Sequence, residues 1–204
     1  TTLAPSSYLN LHSYFQLEGL AYRLLPVKIK GAAQGRVNSD IMYENMMNNF
    51  FWRGLDDPGI FYNENYRRFP FNVRNCFYRL AAQLLSERKN DKAREVILKC
   101  FEVMPDESIP FDVYTAQFVP LLLNLGEDSM AFELAKTMGR RANEELIYYA
   151  ENKINNEIKI RGSLFVLNQI FVSMKRAGKN EEASEYERWF TEYCTKYPKY
   201  CTAR

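Results

Sequence analysis

The chain has 204 residues, 47% hydrophobic and 25% charged, with 27 Lys and Arg against 25 Asp and Glu for a net charge of +2. This is the composition of a folded globular protein with a substantial core, not of a disordered tail. The charges are interspersed and near balance, which argues against nucleic acid as a partner, since such binders carry a dense basic stripe.

No apolar stretch approaches the roughly 20 residues of a membrane span. The longest, Phe118 to Leu125, is interrupted by Pro120 and Asn124. The opening Thr1-Thr2-Leu3 shows neither an initiator Met nor a signal peptide, so a fragment or processed product is expected.

In chain order, residues 1–38 carry little periodicity. Leu20 to Val27 reads as a short strand or irregular segment, with Pro26 opposing a helix, and Gly31, Gln34 and Gly35 mark a loop. Ser39 or Asp40 is the predicted cap of a helix over 40–53, whose apolar face is Ile41, Met42, Met46, Phe50 and Phe51. Gly54 ends it, and Asp56-Asp57-Pro58-Gly59 has the residues of a turn.

From residue 71 the pattern is helical throughout. Helices are predicted over 71–88, 91–104, 111–125, 128–142, 144–159, 162–177 and 180–196, with breaks at Asn90, Pro105, Gly126, Gly178 and Pro198. The expected class is all-α: residues 1–70 form a segment with one helix that packs on a helical region over 71–204.

Three stretches align on one template. They are Phe77-x-x-Leu80-Ala81-x-x-Leu84 with Ala93 and Pro105, then Thr115-x-x-Phe118-Val119-x-x-Leu122 with Ala131, then Leu167-x-x-Ile170-Phe171-x-x-Met174 with Ala183. A small residue early in each second helix lets two backbones approach, and short polar turns join the pairs: Lys89-Asn90-Asp91, Gly126-Glu127-Asp128 and Gly178-Lys179-Asn180. One pair cannot bury its own apolar face, so neighbouring pairs stack. The pattern resembles the tetratricopeptide repeat, with repeats near 74–107, 112–145 and 164–197. Phe77, Leu80, Phe118 and Ile170 are then packing residues together with Ala93, Ala131 and Ala183. The steps between the alanines are uneven, leaving room for an extra helical segment over Glu144 to Ile160.

The resemblance implies an α-α superhelix and a groove lined by first-helix residues. By position these are Asn75, Tyr78 and Ala82, then Val113, Ala116 and Pro120, then Phe165, Asn168 and Val172. The Lys, Asn and Arg set with which some repeats clamp a terminal carboxylate does not match the pattern. An apolar and aromatic groove for a protein or peptide remains open, as does the alternative that the chain's own segments cover these side chains.

No catalytic residue, cofactor or metal site is expected. His12 is the only histidine, and no nucleophile-elbow or phosphate-loop pattern accompanies it. The four cysteines form no CxxC pair, so a zinc site is not indicated. Cys76 and Cys100 fall on apolar faces and read as core. Cys194 and Cys201 read as two unpaired thiols, the alternative being a short closed loop in an oxidising compartment. Asp56-Asp57, with Glu64 nearby, reads as turn chemistry rather than a catalytic pair.

A wider resemblance rests on Glu18 to Pro26, Gly35 to Tyr43 with Phe51-Trp52-Arg53-Gly54, and Asn65-Tyr66-Arg67-Arg68 with Asn72-Val73-Arg74. Together these resemble the C-terminal soluble tail of a Bacteroidetes multi-pass membrane-protein family of unknown function. Its membrane half is similar to protein O-mannosyltransferases. The resemblance implies a periplasmic domain after the last membrane helix, with the catalytic acidic residues in the membrane half and none here. The expected role is a non-catalytic protein-interaction module. The alternative is a structural or dimerisation tail packed on its own membrane domain.

Overall fold

The computed structural model describes residues 8–29 and 35–201; Gly31 and Gln34 of the predicted loop lie outside them. The chain divides into two compact units, one ending at Pro110 and the other beginning at Phe111.

Within the first unit a 3-10 turn, Leu11–Tyr14, carries His12 and is followed by a small sheet. Strand β1 (Phe15–Leu17) is central, antiparallel to β2 (Tyr22–Leu24) and parallel to β3 (Arg36–Val37). The ladder puts Gln16 opposite Arg36, whose Nε donates to Gln16 Oε1 at 2.7 Å. The fold is thus mostly helical with a three-stranded addition; β2 lies within Leu20 to Val27, read from the sequence as a short strand or irregular segment, whereas β1 and β3, of three and two residues, gave no periodic signal.

Helix α1 is shorter than predicted, Ser39–Glu44, and passes into a π-turn over Asn45–Asn49. The cap is Asn38, not Ser39 or Asp40: its Oδ1 accepts the Ile41 amide at 3.2 Å. The chain turns extended at Phe50, ahead of Gly54, so only part of the expected apolar face is used. Met42 and Met46 are fully buried, whereas Phe51 is 83% exposed. Asp57 does sit in a turn, its carboxylate accepting the Gly59 amide at 2.8 Å.

Helix α2 (Glu64–Ser86) starts seven residues before the predicted 71 and contains Pro70. A proline in the second turn withholds its N–H from the Tyr66 carbonyl, and burial of Pro70 among the core side chains accompanies its retention. Asn63 caps the helix through the Tyr66 amide. Helix α3 (Asn90–Val103) packs against α2 and agrees with the prediction to one residue. Between them lie Phe77, Leu80, Ala81, Leu84, Ala93, Val96, Ile97 and Cys100, all essentially inaccessible. Cys76 is buried too, and burial pushes its thiol pKa up.

A buried charge closes this unit. Arg74, 1% exposed, donates to the carbonyls of Met104 (3.1 Å), Ile109 (2.8 Å) and Pro110 (3.2 Å). These are groups at the end of α3 and in the following loop that no helix can satisfy.

In the second unit the predicted helix over 111–125 is two pieces: a 3-10 turn, Val113–Gln117, and α4, Phe118–Asn124. Pro120 accompanies the break: as the third residue of α4 it falls in the first turn, where its missing N–H leaves no bond of α4 unmade, whereas in a helix continuous from 111 it would. Helix α5 runs without interruption over Asp128–Glu151, replacing the predicted helices 128–142 and 144–159. There is no separate extra segment. Asn143 lies mid-helix, where it accepts a hydrogen bond from the Tyr193 hydroxyl at 3.0 Å. Helix α6 (Glu157–Arg176), capped by Asn156, packs on α4, α5 and α7 (Asn180–Lys196). Pro198 opens a short helix α8, Pro198–Cys201, instead of ending structure. Cys194 and Cys201 are joined in a disulfide, against the reading as free thiols; the turn from α7 into α8 brings their Cα atoms to 5.5 Å.

One turn geometry recurs three times. Lys89, Glu127 and Lys179 each donate their amide to a carbonyl five residues back, Leu84, Leu122 and Met174, at 2.9 Å. The residue before each is left-handed: Arg88 (φ 60°), Gly126 (76°) and Gly178 (76°). This double closure satisfies the last carbonyls of the first helix. Each same residue's carbonyl then accepts the amide of Ala93, Ala131 or Ala183, starting the second helix. All three alanines are completely buried. A hairpin bent this tightly brings the helices together where only a methyl group fits.

Candidate functional site

The groove residues expected from the sequence belong to different units and are placed within each. In the first unit, Asn75 is exposed and Tyr78 half-buried on α2. Tyr78 and Ala82 line an open depression of about 860 Å³ whose other wall is the chain's own Gly35 to Asp40. Arg79, also lining it, lies with its guanidinium 5.5 Å from the Tyr22 ring centre and donates to the Tyr22 hydroxyl and to the Gly35 carbonyl. At its rim, Ser39 Oγ donates to Glu87 at 2.6 Å and Lys89 pairs with Glu87 and Asp40, each at 2.8 Å. Burial opposes ionisation of Glu87, but hydrogen bonds from Lys89, Ser39 and Gln83 hold its pKa down to about 2.

In the second unit, Val113 and Ala116 stand in the 3-10 turn; Ala116 is fully buried and is core, not lining. Gly162 of α6 faces Val113, and a side chain on that glycine would approach the valine to 3.1 Å. Phe165, 38% exposed, lies beside Tyr114, 63% exposed, with ring centres 6.5 Å apart.

Toward the other end of α6 the same face becomes polar. A pocket of about 380 Å³ lies between α4 and α6, lined on α4 by Pro120, Leu123 and Asn124, and on α6 by Asn168, Gln169, Val172, Ser173, Arg176 and Ala177. It contains three of the six groove positions expected here: Pro120, Asn168 and Val172. Sequence alignment missed Asn124, Gln169 and Arg176, although Gln169 and Arg176 lie one helical turn or less from expected positions on α6. Spacing along the helix was the signal that could have found them.

Arg176 is the only charged residue in that lining. Its neighbour Lys175 is engaged with Glu187 at 2.5 Å. Ser173 Oγ donates to its own helix, to the Gln169 carbonyl at 2.6 Å, and accepts from Gln169 Nε2 at 3.5 Å. Asn and Gln amides offer donors and acceptors side by side, the complement of a peptide main chain.

Among the described residues, no group of three His, Cys, Asp or Glu side chains comes together in a way that could hold a metal ion. No described helix is long and apolar enough to cross a membrane. In comparisons with protein-family models, curated proteins and solved structures, nothing matches this chain.

Proposed function

We propose that the chain is a non-catalytic helical-repeat module of tetratricopeptide type, which holds a protein or peptide partner along the first helices of its pairs. The observation that carries this reading is the helix–turn–helix geometry repeated at Lys89, Glu127 and Lys179, each followed by a buried alanine four residues on. Repeated hairpins with small contact residues are suited to stacking, and stacked pairs leave their first helices on a recognition surface. The polar pocket on α4 and α6 lies on such helices.

The stretches Glu18 to Pro26, Gly35 to Gly54 and Asn65 to Arg74 support a setting for this role. In it, the module is the periplasmic tail of a multi-pass, glycosyltransferase-like membrane protein and holds a partner or acceptor polypeptide near the membrane half. A photo-crosslinking residue at position 168 of the full-length protein, expressed in its native host, tests the reading. A discrete protein captured from position 168, but not from exposed position 136 on α5, is the expected result. No capture at 168 under conditions where other sites crosslink would overturn it.

One observation favours the second reading, a structural tail packed on its own membrane domain. In the first unit the corresponding face of α2 is walled by the chain's own Gly35 to Asp40. Crosslinks from positions 75 and 168 to the parent's own membrane half, with no second protein, are its signature.

A further inference from the structure

Resting on the groove reading above, we infer that α6 carries a two-ended peptide site, which takes an extended segment with an apolar or aromatic side chain at one end and a carboxylate at the other. The apolar end is Tyr114 and Phe165, two exposed rings in contact, where water is displaced from aromatic surface. The charged end is Arg176, whose pocket holds no acidic side chain. In the same pocket as Arg176 stand Asn168 and Asn124, amides matched to main-chain N–H and C=O groups, while the Gln169 amide is engaged with Ser173 Oγ at 3.5 Å.

The length follows from helix geometry. Phe165 and Arg176 are eleven residues apart on the uninterrupted helix α6, about 16 Å at the α-helical rise. An extended peptide covers that distance in about five residues, so the anchor and the carboxylate stand near positions one and six of a hexapeptide.

Charge complementarity sets the preference. A guanidinium with no acid beside it, at the rim of a partly enclosed pocket, gains more from a carboxylate than from a neutral amide. The apolar end has no such preference, so a ligand lacking the acid retains only part of its affinity. A neutral or basic segment is disfavoured by the same geometry.

The test uses the purified chain and two fluorescent hexapeptide pools, blocked at both ends: Phe-x-x-x-x-Glu and the reverse order, Glu-x-x-x-x-Phe, where x is Ala, Gly, Ser or Thr. Fluorescence anisotropy should show saturable binding by one pool, and replacement of its Glu by Gln should weaken it by about tenfold, the size of one charge-assisted contact. Arg176→Gln should abolish the difference between the Glu and Gln peptides. Phe165→Ala should weaken both peptides alike. The binding should also fall as salt is raised. Far-ultraviolet circular dichroism confirms that both variants fold.

Failure of both pools to saturate would overturn the site, as would binding indifferent to both substitutions. If crosslinking at position 168 still captures a protein in that case, the two-ended site falls and the interaction-module reading stands. Binding of the pools with no captured protein separates the two in the opposite sense.

Discussion

Ser39 Oγ donates a 2.6 Å hydrogen bond to the carboxylate of Glu87, fastening the first residue of α1 to the end of α2, forty-eight positions along the chain. Lys89 completes the cluster by bridging Glu87 and Asp40. In the second unit Lys179, at the equivalent turn position, pairs with Asp128 at the start of α5. A lysine at the turn thus ties back to an earlier helix start in both units, favoured there because a helix start attracts negative charge.

The Glu87 contact has a pH signature. Its folded pKa of about 2 lies below the ordinary 4.5, so its stabilising contribution is fully present above pH 4.5 and is lost as pH falls from 4.5 towards 2. Glu87→Gln should therefore flatten the pH dependence of unfolding in that window. At neutral pH it should cost about 1 kcal/mol, a small figure because the group is partly exposed and screened. Urea midpoints at pH 7 and pH 3 measure both effects.

The three hairpin turns differ at the left-handed position, and that difference is measurable. Gly126 and Gly178 adopt left-handed φ with open space around the missing Cβ. Gly126→Ala or Gly178→Ala should destabilise by about 1 kcal/mol through backbone conformation alone. Arg88 occupies the same conformation with a side chain, so Arg88→Gly should be neutral to stabilising, by up to about 1 kcal/mol. Chemical denaturation of the three variants side by side decides the signs.

Gly139 and Tyr186 form a shape-dependent contact between α5 and α7. A Cβ on Gly139 would come within 2.4 Å of the tyrosine ring, which is itself 7% exposed. Helix propensity alone would make Gly139→Ala stabilising by about 1 kcal/mol, whereas overpacking costs about 1–3 kcal/mol. The expected result is net destabilisation, relieved when Tyr186→Leu is added. A double-mutant cycle on thermal unfolding reports the coupling.

Arg74 closes the loop after α3 through three carbonyls. Arg74→Met keeps the aliphatic stem but leaves those buried acceptors without the guanidinium, and should cost about 3 kcal/mol. Arg74→Lys should recover only part, because an ammonium cannot span three diverging acceptors as a planar fork does. Hydrogen exchange in residues 104–110 should rise with both substitutions, and more with Met.

Local rules carried a long way along this chain. Amphipathic period and turn residues located α3 and α7 to within a residue. The small-residue positions Ala93, Ala131 and Ala183 were legible because only a methyl-sized side chain suits a tight hairpin. Cys76 and Cys100 were legible as core from their helix faces alone. Pro120, Asn168 and Val172, singled out by position along the helices, line one pocket between α4 and α6.

What sequence could not supply was decided by contacts between distant residues. Asn143, which falls between the predicted helices 128–142 and 144–159, lies inside α5, where Tyr193, fifty positions on, meets its side chain. Pro70 sits inside α2 and is buried there, a placement that its local preference alone disfavours. Strands of two or three residues exist only as partners of one another, and the Cys194–Cys201 bond forms only once α7 turns into α8. Arg176 shares a pocket with Pro120, Leu123 and Asn124 only because α6 lies against α4. The physical reason is common to all of these: hydrophobic period and capping are properties of neighbours in sequence, whereas burial, pairing and a pocket's lining depend on which surfaces the folded chain brings together.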